Sequence, residues 1–520
     1  MLMKHFFFIL LVLFPISLYA QKSNPIYPAS GVLKTVEIEI SGNPTWQKLI
    51  SLGKDGLLIF VKKDITKAVI VKFDTELRKE WENEVLLDVE RKPTAYFLDN
   101  QKVTFLFSES QGMYYQLFSF DLKDGKVENK GFELRDFFQD QSYVAFKNRI
   151  LIAGMNEKGG TFYDFDFISN EGQFTSANLV GKVQVHFINY NQKTHVIESL
   201  WSIKEQGYTN EKKKKGEFIK NAYVVYAKYD TLGKLITKSA IQSNAGNFPL
   251  TAQLTPVDSI TSVITGVYQS NNGVKGIYFS KLEYDKTIFT KFYDYRKLLK
   301  GTEILTDEQL KKVSSTYTFL PTQTTFTENQ IVFGGSFYQP TYQVVSVDNP
   351  DYVGYNFNLN YSNQRTRTKQ VLAGYNYQNA FTANFDLDGN LIKQQKIDLK
   401  QTSSDIDEVV AINKQNSIAY CLKGNLIVSK PKGYAEPDVY KLSTENDDPK
   451  NSQYIAKYRN VRNWYENYFI ADGSRIKFEV IKEMSGTKEK PSKRKRGQRQ
   501  TPETNIKKII YLSKILSSEF

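Results

Sequence analysis

The sequence predicts an all-β chain built from one repeated sheet-forming unit, and three observations carry that expectation. A hairpin phrase, an aromatic or apolar residue next to Asp and then a turn, recurs along the chain. Near-continuous apolar runs ending at glycine precede several of these hairpins. Aromatic residues make up 14% of the chain, with 33 Tyr and 35 Phe, which suits pleated sheets better than helices.

The hairpins read AVIVKFDTELRKEW, YYQLFSFDLKDGKV, TFYDFDFISNEGQF, YVVYAKYDTLGKLI, KGIYFSKLEYDKTI and AFTANFDLDGNLIK. Their aspartates are Asp74, Asp121, Asp166, Asp230, Asp285 and Asp386, spaced by 47, 45, 64, 55 and 101 residues. An Asp carboxylate accepts from amides just downstream and closes an Asx-type turn. Gly125, Gly172, Gly233 and Gly389 are expected to supply the positive φ of a tight hairpin. The runs ILIAGM, SVITGVY, IVFGGSF and QVLAGYNY end near Gly154, Gly266, Gly334 and Gly374, and they read as strands buried on both faces. Each unit is therefore an apolar strand, a strand ending in Asp, and an outer strand, with a further strand to complete four. Four-stranded units at a period of roughly 40–50 residues predict a β-propeller. Seven blades are expected, with eight as the alternative. The six phrases account for six units, and residues 404–520 hold at least one more. The alternating VLKTVEIEI, 32–40, is placed to pair with the last unit and close the ring.

The long spacings call for insertions at 204–219, 301–314 and 338–369. The second is the best helical segment, with Thr306 and Gln309 as a capping box. The third is a Tyr-rich hairpin. Residues 485–504, polar and basic, read as a disordered loop.

Residues 1–20 read as a secretory signal: Lys4 and His5, the apolar run Phe6–Ile16, then SLYA ending at Ala20. That run is shorter than the roughly 20 residues of a membrane span. Gln21 follows where a lipoprotein would carry Cys. The expectation is one exported domain over 21–520, periplasmic, surface-located or secreted, with no later transmembrane segment. The lone Cys421 rules out an internal disulfide and reads as a small buried hydrophobe. The net charge of +13 is concentrated: GTKEKPSKRKRGQRQ, 486–500, holds +6 and Lys212–Lys215 +4. The body is nearly neutral, which argues against a nucleic-acid partner.

The hairpins resemble the blade motifs of bacterial exported propellers of quinoprotein-like and kelch-like type, with Trp81 after its turn nearest to the quinoprotein pattern. The other units lack that Trp, so quinone binding does not carry over. The resemblance implies a fold and a compartment and no activity.

No nucleophile elbow or phosphate loop is present. His186 and His195 lack companions at a metal spacing and read as structural. No catalytic residue, metal or cofactor is assigned. The repeated aspartates are explained by their turns. The expected binding residues are Tyr338, Tyr342, Tyr352, Tyr355 and Tyr361, flat amphipathic rings outside the repeat core. Lys493, Arg494, Lys495 and Arg496 are expected to meet anionic surfaces. The leading functional expectation is a non-enzymatic scaffold for a protein or glycan at the bacterial envelope. One alternative is a glycan-active hydrolase or lyase, which needs carboxylates converging within roughly 5–10 Å at the propeller mouth. The other is an envelope assembly subunit working through its basic loop.

Overall fold

The computed structural model describes residues 27–29, 32–41 and most of 46–516; the longer stretches outside it are 1–26, 88–94, 210–215, 300–314 apart from Glu308, 349–365, 443–457, 481–503 and 517–520. The signal segment, nearly all of the helix expected at 301–314, and the basic loop 485–504 lie outside the described residues.

The chain is nearly all β. Among the described residues the α-helical ones are the single turn Tyr295–Leu298, with Glu308 and Ser315–Thr316. The described strands form eight small sheets of four or five strands, one more than the seven units expected. In chain order they span 46–86, 95–133, 139–179, 182–241, 247–294, 318–403, 410–442 and 458–516. Each sheet runs back and forth, with sequential strands as hydrogen-bonded neighbours, except that in the fifth and sixth sheets two short segments share the edge of the next strand. The last two sheets escape the repeat phrase because their turns are written differently. The seventh turns at Lys423–Gly424, and residues 481–503 interrupt the eighth between Tyr468–Val480 and Thr504–Leu516.

Position in the sheet explains the sequence patterns. The second and third strands are buried on both faces: Leu57–Lys62 is buried at every residue, and Gly159–Asp166 at all but its last. Outer strands such as Lys79–Leu86 and Leu235–Ile241 alternate, with one face in solvent. Buried residues fall into eight apolar seams, each joining a sheet to the next. Phe60 of the first sheet meets Phe105 of the second at 4.4 Å. Phe162 of the third sits edge-on to Trp201 of the fourth at 5.4 Å. The eighth seam brings Ile470, Ile510 and Leu512 of the last sheet against Leu57, Ile59 and Val71 of the first. Each fully buried large aliphatic or Phe contributes about 1.5–3 kcal/mol.

The amino-terminal strand Val32–Ser41 pairs antiparallel with Thr504–Leu516 as the outer strand of the eighth sheet. Tyr27–Ala29 adds in parallel to the edge of the seventh.

In the repeated hairpin, Asp230 Oδ1 accepts from the amides of Leu232 and Lys234, both at 2.9 Å. Asp74 does the same with Glu76 and Arg78, and Asp386 with Asp388 and Asn390. Asp121 and Asp166 each accept from the amide two residues on. Gly125, Gly233 and Gly389 have φ of 74°, 76° and 72°. Gly172 departs from the expectation. The left-handed residue of its turn is Asn170 (φ 58°), and Gly172 already lies in the strand Glu171–Leu179. The side chain it lacks leaves room for the Tyr163 ring. Asp285 also departs: at φ 62° it occupies the turn itself, and its carboxylate pairs with Lys228 at 2.7 Å.

These hairpins also link neighbouring sheets. Trp81 Nε1, on the outer strand of the first sheet, donates to the Leu122 carbonyl in the second sheet's turn (3.2 Å), and Asn83 donates to the Gly125 carbonyl. Lys291 and Tyr293 of the fifth sheet hold Asn390 and Gly389 of the sixth in the same way.

Candidate functional site

The first strands of the first and eighth units are short and less apolar than the strands that follow them. In Trp46–Ser51 and Tyr458–Asn463, inward residues include Gln, Lys, Arg and Asn. Such strands are suited to line a polar space. A cavity of about 860 Å³ is lined by Trp46–Lys48, by Ala95 and Tyr96, and by Gln141–Tyr143, from the first strands of the first three sheets. Its remaining wall is Ser404–Glu408, ahead of the seventh sheet, with Arg459, Asn460, Arg462 and Lys508 of the eighth and Leu372 and Tyr375 of the sixth. A second cavity of about 680 Å³ shares Lys48, Tyr96, Glu408 and Arg462 with it. Those four residues form the wall between the two spaces.

An ion cluster holds that wall. Lys48 Nζ lies 3.0 Å from Glu408 Oε1, and Arg462 Nε donates to Glu408 Oε2. Arg462 also donates to the carbonyl of Leu49, so one guanidinium on the eighth sheet ties the segment ahead of the seventh to the first sheet. Burial alone would raise the Glu408 pKa, but Arg462 and then Lys48 outweigh it and bring the carboxyl down to about 2. Its neighbour behaves in the opposite way. Burial pushes Asp407 up to about 6, against the hydrogen bond donated by Ser403. The Asp407 amide donates to Tyr377 Oη (2.7 Å), and the Tyr377 hydroxyl donates back to the Asp407 carbonyl (3.1 Å). Behind the wall, buried Asp472 accepts from Gln47 (3.0 Å) and Asn460 (3.1 Å), and burial raises its pKa too.

Aromatic faces complete the cavity. Trp46 is half-buried, edge-on to Phe60 at 5.9 Å, and Tyr96 remains 40% exposed. The strands Gln330–Asp348 and Thr366–Asp386 form the long hairpin expected over 338–369, and its Leu372 and Tyr375 reach the cavity. Tyr338 packs on Tyr375 and Tyr377 at 5.7 and 5.9 Å, one ring behind the lining. Tyr342 is exposed and is paired in register with Leu372. Tyr352, Tyr355, Tyr361 and Lys493, Arg494, Lys495 and Arg496 lie outside the described residues.

The cavity residues do not stand out in the sequence. The available signal is charge in or just ahead of short first strands, as in TWQKLIS, DIDEVVAI and YRNVRN. The histidines do not meet at a shared site. The His186 Nε2 proton faces the Leu250 carbonyl (3.1 Å), with Ser202 Oγ at 2.9 Å, while His195 Nδ1 lies 2.8 Å from the Tyr190 hydroxyl. Cys421 is buried, and burial lifts its thiol well above the usual range. Among the described residues no group of three or more His, Cys, Asp or Glu is arranged to hold a metal ion. Among them, too, no helix is long and apolar enough to cross a membrane.

No family model matches the chain, and no curated protein matches it. Among solved structures it is similar to an uncharacterized protein of Listeria monocytogenes, with 11% identity over 80% of this chain and 99% of that one and a TM-score of 0.36. A functionally unknown protein of Desulfotomaculum acetoxidans gives 13% identity, 76% and 94% coverage and a TM-score of 0.32. A puromycin-hydrolyzing peptidase of Mycobacterium tuberculosis gives 8% identity, 74% and 50% coverage and a TM-score of 0.35. Superpositions this loose carry no argument about activity.

Proposed function

We propose that the chain is an exported, non-catalytic β-propeller of eight blades that binds a glycan in the mouth of its central passage. Eight sheets, eight seams and a last seam returning to the first sheet support eight blades over seven. Pairing of Val32–Ser41 with Thr504–Leu516 supplies the closure. Export rests on the signal-like residues 1–20. The observation that carries the binding reading is the 860 Å³ cavity itself, where side chains from five of the sheets and from the segment ahead of the seventh converge beside Trp46 and Tyr96. A sugar ring stacks its C–H face on an aromatic ring and offers hydroxyls to amides such as Gln141 and Asn460.

The test is a glycan array followed by calorimetry on residues 21–520. Binding is expected in the wild type and is expected to be lost in Trp46→Ala combined with Tyr96→Ala. Retained binding in that double variant moves the site elsewhere.

One observation favours catalysis as a second reading. Asp407 and Glu408 both line the cavity and have pKa values driven apart, to about 6 and about 2, as in sites that divide acid and base roles. Wild-type release of reducing ends from a bound glycan, abolished by Asp407→Asn, would replace the scaffold reading. No release would leave it standing.

A further inference from the structure

The cavity lining carries Lys48, Arg459, Arg462 and Lys508 together with Asp405, Asp407 and Glu408, and these charges are unevenly distributed along it. Glu408 answers both Lys48 and Arg462. Two further cations, Arg459 and Lys508, stand together on the eighth sheet at the same wall. Arg459 lies at a β-bulge, where the ladder between Tyr458–Asn463 and Tyr468–Val480 slips by one residue. A bulge turns its extra residue away from the ladder and is a recurrent device beside binding sites. Among the described residues Arg459 has one loose, exposed ion-pair partner, Asp405 at 3.5 Å. Lys508 points to a single hydrogen-bond partner among the described residues, the Pro44 carbonyl at 3.3 Å. Pro44 lies two residues before Trp46, so the ammonium and the indole share one edge of the cavity.

A half-buried lysine beside an arginine is costly. Burial and then the Arg459 charge hold Lys508 below the ordinary lysine range, with Asp405 and Asp472 only partly offsetting this. A bound anion bridging the two cations would relieve both burdens. A carboxylate fits best: a guanidinium takes it through paired N–H donors and an ammonium adds a third.

We propose that the glycan taken by this cavity is a uronate, its carboxylate on Arg459 and Lys508 and its ring on Trp46. The inference rests on the glycan reading and adds the substrate class. No bond is made or broken in this step.

The experiment is calorimetry on residues 21–520 with oligogalacturonate and with the same oligosaccharide after carboxyl reduction. Oligogalacturonate is expected to bind, with affinity falling as salt rises, and the reduced sugar to bind at least about tenfold more weakly. Lys508→Gln and Arg459→Gln are each expected to cost about tenfold for the uronate and little for the reduced sugar. Lys508→Arg should keep affinity within a few-fold, which with unchanged melting curves separates recognition from folding. Equal binding of the two sugars, or wild-type uronate affinity in Lys508→Gln with Arg459→Gln, overturns the uronate assignment and leaves the glycan reading intact. Failure of the wild type to bind any glycan on the array overturns both.

Discussion

Gly125 shows how two constraints fall on one residue. Its φ of 74° is costly for any side chain, and a Cβ there would come within 2.7 Å of the Trp81 ring. Gly53 has a similar φ of 63°, but a Cβ at that position would meet nothing within 4 Å. Gly53→Ala should therefore cost about 1 kcal/mol from the backbone alone. Gly125→Ala should cost roughly 2–4 kcal/mol, because the contact with the neighbouring sheet is forced apart as well. Urea denaturation of both variants checks this, and equal losses would refute the linking role of the hairpin. His186 supplies a pH dependence. Burial holds it at about 4, below its usual 6.5, so the native state keeps it neutral where the unfolded chain would be protonated. Its contribution is complete above about pH 6.5 and is lost as pH falls toward 4, roughly 3 kcal/mol. His186→Gln should flatten stability across that window. Glu408 loses its contribution lower, as pH falls from the ordinary glutamate range to about 2. Asp407 acts in reverse, with stability lost as pH rises from about 4 through about 6, so part of the histidine effect is masked unless the variants are compared directly.

Among the elements, the second, third and outer strands were the legible ones. Burial on two faces gives an unbroken apolar run, and burial on one face gives alternation, so strands such as Leu57–Lys62 and Leu235–Ile241 declare their places in the sheet. First strands did not, since a short strand lining a polar space carries neither signature. The long hairpin of the sixth sheet was legible as an insertion but not as part of a cavity wall. Its base, around Phe333 and Phe381, belongs to the apolar seam between the fifth and sixth sheets, whereas Tyr342, Val344 and Leu372 farther along are exposed. Replacing 341–374 by Asn-Gly, which joins the paired residues Pro340 and Tyr375, should leave the thermal melt within a few degrees and weaken glycan binding. A collapse of the cooperative melt would show that the projecting part is structural.

At the scale of the molecule, the amino-terminal strand completes the eighth sheet and its seam with the first. Without Val32–Ser41 the eighth sheet would present Thr504–Leu516 as a bare edge, and Val36, Ile38 and Ile40 would leave the seam between the last and first sheets. Deleting residues 21–43 should lower stability by several kcal/mol and promote aggregation through that edge. A synthetic peptide of residues 27–43 added in trans should restore the melting temperature by strand addition. If the deletion melts like the full chain, the terminal strand has no closing role.

The sequence alone determined the all-β class, the repeated unit and most of the Asp turns, because each depends on interactions a few residues apart or on simple one- or two-sided burial. It marked Val32–Ser41 as an alternating strand, but the tertiary structure supplied its partner, Thr504–Leu516. The cavity was decided only by tertiary structure. Lys48 and Glu408 stand 360 positions apart, and Arg462 reaches a carbonyl 413 positions away. A site assembled from one or two polar residues on each of many short strands has no local pattern. It exists only once the apolar seams have brought those strands together.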